Sequence, residues 1–312
     1  MPSFAIKVTR FGFSALGRVS PELASRAALA LFCRTPAKRP RKVKEKAALA
    51  EGARKLAQAE KLKLGRKGFK VGVQRIGSPN YQAPRVLVVH GWGSRAEYLA
   101  DLAMGLREAG AEVYVLDLPG HGRSHGRRLD MRMAAEAMAI VQERFGPFDA
   151  AVGHSFGGAA LMAAAGGSFP GIPVVTANRL AVIGSPSRIE DVFSGFVRMV
   201  GLTPATGRAL VVRTERRVGC PVQALDGVPI ALRLRKPLLV VHAEDDKEVS
   251  ADQARRYLGL ADHIRHHWAN GQGHRRIVSA PDVIAAVSDF LLGDGALGET
   301  LETTRLRTAS SF

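Results

Sequence analysis

Cysteine is scarce in this chain, and long apolar runs are missing. Only two cysteines occur among 312 residues. Cys33 and Cys220 lie far apart, so we expect no disulfide framework. This cysteine usage is compatible with a reducing compartment, and we expect a cytoplasmic location. No stretch approaches the ~20 uninterrupted apolar residues that a transmembrane helix needs. The hydrophobic content of 46% still allows one large core with appendages.

Metal-binding signatures are missing as well. The chain has nine histidines, and the pairs that come nearest to a metal motif are His263-x-x-His266 and His242-x-Glu244. Neither pair matches the H-E-x-x-H pattern of zinc hydrolases. We therefore expect no metal ion and no other cofactor.

Acidic residues are few at the N-terminus, so positive charge accumulates there. Residues 1–75 contain 19 Lys and Arg but 4 Asp and Glu, a net charge of +15 out of +17 for the whole chain. The remaining residues, 76–312, contribute only +2. The basic character thus belongs to an N-terminal extension, residues 1–65, which we expect to be partly helical. Within it the Ala-rich stretches 47–51 and 55–60 predict helix.

Three interpretations of the extension remain open. It can be a solvated arm whose apolar residues pack on the rest of the protein. It can be a basic amphipathic segment that makes peripheral contact with an anionic membrane, or an Arg-rich targeting peptide. Nucleic-acid binding is the usual first guess for so basic a chain. No recognition motif accompanies the charge, so we expect no nucleic-acid partner.

The most informative motif lies at residues 153–157, which read G-H-S-F-G. The apolar stretch 148–152 before it suits a buried strand, and the Ala-rich stretch 158–165 after it suits a helix. A serine on such a strand-to-helix turn is held in strained backbone geometry with its hydroxyl exposed. Ser155 is therefore a candidate nucleophile. A plain turn explains the pentapeptide equally well when it is taken alone, so the partners of the serine matter.

A serine nucleophile needs a general base, a group that orients the base, and an oxyanion hole. The apolar run 237–242 predicts a central strand, and Asp246 follows it at the edge where open α/β sheets bind their ligands. His274 lies later in the chain, on a Gly-rich loop. Glu244 and Asp245 compete with Asp246, which we prefer for its spacing to Val249. Other histidines that compete with His274 for the role of base are His242, His263, His266 and His267.

Four separated motifs resemble those of the α/β-hydrolase family. They are H-G-W-G at 90–93, D-L-P-G-H-G-R-S at 117–124, D-K-E-V at 246–249 and G-H at 273–274, in the family's order. The resemblance covers a catalytic domain at 66–292. The residues in its motifs are most similar to those of carboxylesterase-like serine hydrolases. It implies an α/β fold with a mostly parallel, doubly wound sheet and a short helical lid at about 185–236. The tail, 293–312, is predicted to be disordered.

Hydrophobic runs predict seven strands that alternate with helices. Their approximate positions are 70–76, 85–89, 112–116, 150–152, 180–183, 238–242 and 265–268. Ser-x-x-Glu and Ser-x-x-Gln patterns predict three capped helix starts, at Ser94, Ser187 and Ser250.

The resemblance also implies roles for individual residues. Ser155 would be the nucleophile, His274 the base and then the acid, and Asp246 the group that orients His274. The backbone N–H groups of Trp92 and Phe156 would form the oxyanion hole. The expected substrate is a small-molecule ester or thioester with an apolar acyl part. The alternatives are other chemistry of this fold, such as C–C hydrolysis or perhydrolysis, and a non-catalytic binding protein.

Overall fold

A single eight-stranded sheet forms the centre of the protein. The computed structural model describes residues 4–40 and 42–293, with side chains from residue 9 onward. The strands are β1 Glu60–Arg66, β2 Phe69–Ile76, β3 Arg85–Val89, β4 Glu112–Asp117, β5 Phe148–His154, β6 Ala177–Ile183, β7 Leu238–His242 and β8 Ile264–Trp268. They lie side by side in the order β1-β2-β4-β3-β5-β6-β7-β8. β1 and β2 are antiparallel to their neighbours, and the pairs from β4 to β8 are parallel.

Helices connect the parallel strands, because a parallel pair cannot be joined by a hairpin. The helices are α1 Phe4–Val19, α2 Pro21–Phe32, α3 Val43–Lys55, α4 Ala100–Glu108, α5 Met131–Phe145, α6 Phe156–Ala165, α7 Ile189–Val200, α8 Pro204–Val218, α9 Gly227–Leu234, α10 Asp252–Arg255, α11 Gly273–Arg276 and α12 Pro281–Leu292. None of the described helices is both long and apolar enough to cross a bilayer. The mostly parallel, doubly wound sheet expected from the sequence is confirmed.

The sheet has a hydrophobic core on each face, and β3 contributes to both. Successive side chains of a strand point to opposite faces. Val86 and Val88 therefore belong to the core that includes α4 and α12, whereas Leu87 and Val89 belong to the core that includes α5 and α6. This two-sided burial explains why the central strands read as continuous apolar runs rather than alternating patterns.

All seven predicted strands are present, with ends shifted by a few residues. The sequence did not predict β1. The prediction of a helix at 55–60 was wrong, because α3 ends at Lys55 and β1 begins at Glu60. In β1 only Leu62 and Leu64 are half-buried, between exposed charged residues. Such an edge strand has too few apolar residues to be distinguished from a charged helix. The sheet thus begins at residue 60, inside the stretch assigned to the extension.

The described part of the extension packs on the helices that lie between β6 and β7, which we call the insertion. α1 contacts α7, and α2 contacts α8. Ala24 and Ala28 are fully buried. The ring of Phe32 lies 4.9 Å from the rings of both Phe193 and Phe196. The insertion itself consists of α7, α8, α9 and a 3₁₀ turn, all within 185–236. The tail predicted to be disordered lies outside the described residues, except Gly293.

None of the three predicted serines is the residue just before its helix, although the Ser250 hydroxyl still accepts from the Asp252 N–H at 3.3 Å. α7 begins after Arg188, the helical turn near Ser94 begins after Arg95, and α10 begins after Ala251. The Ser187 hydroxyl instead donates to the backbone carbonyl of Gln253, 2.9 Å away. The serine therefore connects the start of the insertion to α10.

Candidate active site

Ser155 lies on a sharp turn between β5 and α6. Its backbone has φ +53° and ψ −126°, a left-handed region that non-glycine residues rarely occupy. A Cβ at Gly153 would lie 2.5 Å from Gly158 Cα, and a Cβ at Gly157 would lie 2.4 Å from the carbonyl oxygen of His90. Only glycine fits at these two positions, so the motif lets β5, α6 and the loop after β3 approach one another closely.

The structure brings Ser155, His274 and Asp246 together in one hydrogen-bonded chain. His274 Nε2 lies 3.0 Å from Ser155 Oγ, and His274 Nδ1 lies 2.7 Å from Asp246 Oδ2. The three residues are supplied by the β5–α6 turn, α11 and the loop after β7. All three lie at the carboxyl edge of the parallel strands, as the sequence predicted. With Nδ1–H donated to Asp246, Nε2 is free to accept a proton from the serine hydroxyl.

Asp246 is placed to remain charged. Burial by itself raises the pKa of this carboxyl, but hydrogen bonds from His274 and from the backbone N–H groups of Val249 and Glu248 hold it below its usual range. The two N–H groups both donate to Oδ1, at 2.9 and 2.8 Å. The neighbouring carboxylates have other partners: Asp245 accepts from the Gly271 N–H, and Glu244 pairs with Arg255.

The competing histidines form no hydrogen bond to Ser155 among the described residues, although His242 Nε2 lies 3.6 Å from Asp246 Oδ2. His242 Nε2 is 3.1 Å from the carbonyl oxygen of Val249, and burial lowers the pKa of its ring. His263 and His266 contact the backbone carbonyls of Ala231 and Ala254. His267 lies near Asp282, at 3.8 Å. These contacts leave His274 as the ring in contact with Ser155. Among residues 9–40 and 42–293, no group of three or more His, Cys, Asp or Glu side chains is arranged to hold a metal ion.

Two buried histidines hydrogen-bond the loop that carries Trp92 to the loop after β4. His90 accepts from the Leu118 N–H at 2.9 Å through Nε2, and its Nδ1 lies 2.7 Å from the Gly91 carbonyl oxygen. His121 accepts from the Gly93 N–H at 3.0 Å. These hydrogen bonds join the H-G-W-G motif to the D-L-P-G-H-G-R-S motif. Both rings must be neutral, since each accepts a hydrogen bond through one nitrogen.

The backbone N–H groups of Trp92 and Phe156 come from the loop after β3 and from the start of α6. Phe156 is the first residue of α6, where a backbone N–H has no partner inside the helix. Trp92 follows Gly91, at which a Cβ would lie 2.8 Å from Ser155 Cβ. Neither amide donates to another backbone carbonyl in the described part of the chain. Trp92 and Phe156 therefore remain the predicted oxyanion-hole donors.

We expect His90, His121 and His154 to remain neutral in the folded protein at pH 5 and above. Burial removes water from each ring and lowers the pKa to about 4 for His90 and His121, and to about 3 for His154. The folded-state pKa lies below the unfolded value of ~6.5, so their contribution to stability is complete above that pH. It is lost as the pH falls from ~6.5 towards 4.

NMR titration of the imidazole C–H signals checks this expectation. The three signals should keep their neutral shifts between pH 8 and 5, while in urea-unfolded protein every histidine should titrate near ~6.5. A folded-state signal of any of the three that titrates near the unfolded value would contradict it.

A cavity of about 820 Å³ opens beside Ser155. This size is within the range of small-molecule binding sites. Its walls are mainly apolar and come from several parts of the chain, including residues within 129–131 and 248–253. The sheet side contributes Trp92, Phe156 and Ala159, the insertion contributes Ile189, Val192, Phe193, Phe196, Met199 and Val200, and the extension contributes Thr9, Leu31, Phe32 and Cys33.

The contribution of the extension to this cavity was missed by the sequence reasoning. The signal was a run of apolar residues, 27–33, inside an otherwise basic segment. Which surface those residues cover depends on tertiary contacts with α7 and α8, and no local pattern encodes these contacts.

Comparisons with solved structures show the same fold in several proteins. A carboxylesterase from Bacillus subtilis has a TM-score of 0.56 and 17% identity, over 80% of this chain and 98% of that chain. An esterase from Pyrococcus furiosus has a TM-score of 0.55 and 15% identity, over 83% and 95%. A thioesterase domain from the curacin biosynthetic pathway has a TM-score of 0.51 and 16% identity, over 75% and 99%.

The sequence itself gives the family. Residues 86–287 match the alpha/beta hydrolase family, which is about two thirds of the 312-residue chain. This span contains the Ser155 turn, the loop of Trp92, and both Asp246 and His274. By its sequence match and its fold, the chain belongs to the alpha/beta hydrolase family.

Proposed function

We propose that this protein is a serine hydrolase that cleaves an ester or thioester with an apolar acyl part through an acyl-enzyme on Ser155. The observation that carries the proposal is the hydrogen-bonded chain from Ser155 Oγ through His274 to Asp246. A serine, a histidine and a carboxylate in this geometry activate a nucleophile. The backbone strain at Ser155 adds support, because strain of this kind concentrates at functional sites.

The acylation half of the reaction follows from the positions of these atoms. Ser155 Oγ attacks the carbonyl carbon of the substrate, and its proton passes to His274 Nε2. The oxygen that becomes negative is stabilised by the N–H groups of Trp92 and Phe156. His274 then gives the proton to the leaving alcohol or thiol as its bond to carbon breaks. Asp246 stabilises the imidazolium that exists between these two transfers.

Deacylation repeats these steps with water. The oxygen of the water attacks the acyl carbon, and His274 Nε2 takes a proton from this water. The bond to Ser155 Oγ then breaks, and His274 returns the proton to this oxygen. The carboxylic acid leaves, and the free enzyme is restored.

The apolar cavity is the proposed site of the acyl part. Burial of apolar surface contributes roughly 0.8 kcal/mol per methylene group, so a chain placed against these walls gains affinity with length. Three similar structures carry the names carboxylesterase, esterase and thioesterase. They support ester-bond chemistry in general terms and leave ester and thioester as equal candidates.

A panel of p-nitrophenyl esters and the matching thioesters, graded in acyl length, tests this function. We expect turnover that rises with acyl length until the cavity is filled. Absence of turnover in folded protein across the panel would favour the alternatives, C–C hydrolysis or perhydrolysis, or a binding protein on this fold.

Replacing Phe32 with alanine should change which acyl lengths are preferred. The ring stacks on Phe193 and contacts Phe196 edge-on, so its removal enlarges the cavity. We expect kcat/KM for the best wild-type ester to fall about 10-fold, mainly through KM, which corresponds to ~1.4 kcal/mol of lost apolar contact. Longer or bulkier acyl groups should lose less. The same ester panel measures the shift.

Phe11→Ala is the matched control, because Phe11 lies in the same extension but is 78% exposed. It should leave the length profile unchanged. Phe32→Leu, which retains most of the volume, should fall between the wild type and Phe32→Ala. An unchanged profile in folded Phe32→Ala would show that the extension does not bound the acyl site.

We further propose peripheral contact of residues 1–65 with an anionic lipid surface. Phe11, Val19 and Leu23 are exposed large apolar side chains on α1 and α2, and they alternate with exposed arginines, Arg10, Arg18 and Arg26. Each basic residue near an anionic surface contributes about 1 kcal/mol. Binding to anionic vesicles that weakens as salt rises is the expected signature.

A further inference from the structure

An arginine-lined groove lies between α2 and α8, separate from the catalytic residues. Its volume is about 710 Å³, and Leu29, Ala30, Cys33, Ala209 and Val212 contribute its apolar part. Six arginines and a single acidic residue, Glu22, line it. The arginines are Arg26, Arg128, Arg208, Arg213, Arg216 and Arg217. The lining side chains thus carry a formal charge of +5, six positive less one negative.

Half of these arginines have a structural role. Arg213 pairs with Glu22 and contacts Ser25, which joins α8 to α2. Arg26 also lies 3.5 Å from Glu22. Arg217 pairs with Asp130 at 2.7 Å, which joins α8 to the loop before α5. These contacts explain three of the six positive charges.

The other three arginines, Arg128, Arg208 and Arg216, form no ion pair with any described residue. All three are exposed. Like charges held around one groove repel each other, which costs free energy unless an anion neutralises them. Direct ion pairs between α2 and α8 therefore do not account for them.

We propose that this groove binds a phosphate-bearing ligand. The guanidinium group presents planar, paired N–H donors that match the oxygens of a phosphate, and several such groups together favour a multiply charged anion over a single carboxylate. A lone surface arginine has no such selectivity, because water competes with each contact separately.

The groove and the acyl cavity have common walls. α2 and α8 contribute to both, and Cys33 lines both. A phosphate held in the groove is thus bound by the same two helices that enclose the cavity beside Ser155. The phosphate can belong to a soluble molecule or to an anionic lipid headgroup, and the recognising chemistry is the same.

Calorimetric titration of the full chain with inorganic pyrophosphate at low salt tests the site. We expect binding in the wild type and a loss of affinity of about 100-fold in Arg208→Gln/Arg216→Gln, about 10-fold for each charge-assisted contact removed. Arg18→Gln/Arg39→Gln removes the same charge from the extension, outside the groove, and should keep the affinity within a few-fold of wild type.

Thermal unfolding of each variant checks the fold. If Arg208→Gln/Arg216→Gln does not fold, Arg128→Gln replaces it, since Arg128 lies on a loop and should lower the affinity about 10-fold. No binding of pyrophosphate by the wild type would overturn the proposal. So would equal losses in the groove variant and the extension variant, which would indicate diffuse charge.

Sedimentation with phosphatidic acid vesicles identifies the source of the phosphate. If the wild type sediments with them, Arg208→Gln/Arg216→Gln does not, and pyrophosphate releases the wild type, the groove takes lipid headgroups. If pyrophosphate binds in the groove and the groove does not bind the vesicles, the natural ligand is soluble. Vesicles of phosphatidylcholine alone are the control. These measurements do not depend on ester turnover, so they can succeed or fail independently of the proposed hydrolysis.

Discussion

Ser155→Ala should reduce kcat by about 10⁴- to 10⁶-fold and abolish labelling by a fluorophosphonate. The alanine keeps the Cβ that the turn accommodates but removes the oxygen that lies 3.0 Å from His274 Nε2. Without it no acyl-enzyme can form. The remaining rate would come from the oxyanion donors and from substrate binding. Mass spectrometry of the labelled wild type should place the adduct on the peptide that contains Ser155.

Ser185→Ala is a suitable control for this variant. The Ser185 hydroxyl donates to the backbone carbonyl of Ser155 at 3.0 Å, so it lies beside the site without touching His274. It should retain labelling and most of the activity. An adduct on another residue, or near-normal turnover by Ser155→Ala, would show that Ser155 is not the nucleophile.

The sequence could predict the residues around Ser155 because their constraints are local. A serine with positive φ, flanked by glycines that backbone atoms touch, leaves a readable pattern in five residues. The loops of Trp92 and Asp246 are equally short and follow buried strands whose apolar runs are easily recognised. The carboxyl ends of parallel strands meet at one edge of the sheet, so short motifs that follow different strands could be predicted to lie close together.

The parts that could not be predicted depend on contacts between distant residues. Phe32 and Phe193 are 161 positions apart in the sequence, yet their rings stack at the cavity wall. The charge count showed that residues 1–75 are basic but could not show which of them are buried. The arginine groove is a similar case. Arg128 and Arg208 lie on separate elements, and only the fold places them around one space.

The sequence pattern was least informative for the edge strand β1 and for the starts of helices. β1 has two half-buried leucines and exposed charges, so tertiary pairing with β2 rather than sequence pattern makes it a strand. The Ser187 pattern predicted a cap, but the hydroxyl donates to Gln253 because α7 starts one residue later than expected. Where a side chain has several possible hydrogen-bond partners, the packing of the surrounding elements decides which partner it takes.

Asp246→Asn should lower kcat by about 10⁴-fold while the protein stays folded. The N–H groups of Glu248 and Val249 both donate to Oδ1, so they hold the amide oxygen of an asparagine in that position. The amide NH₂ then faces His274 Nδ1, which must accept rather than donate. His274 would carry its proton on Nε2 and could not take the proton of Ser155.

Asp245→Asn is the matched control for this variant, since Asp245 is the preceding residue and accepts only from the Gly271 N–H among its described hydrogen bonds. An amide oxygen can accept that bond equally well, so kcat should change little. Steady-state kinetics of the two variants on one ester, with unfolding curves to show that both are folded, separates the two carboxylates. If Asp245→Asn were the crippled variant and Asp246→Asn nearly normal, the acid would have been assigned to the wrong position of the loop. The outcome expected from the 2.7 Å contact of Asp246 Oδ2 with His274 is the reverse.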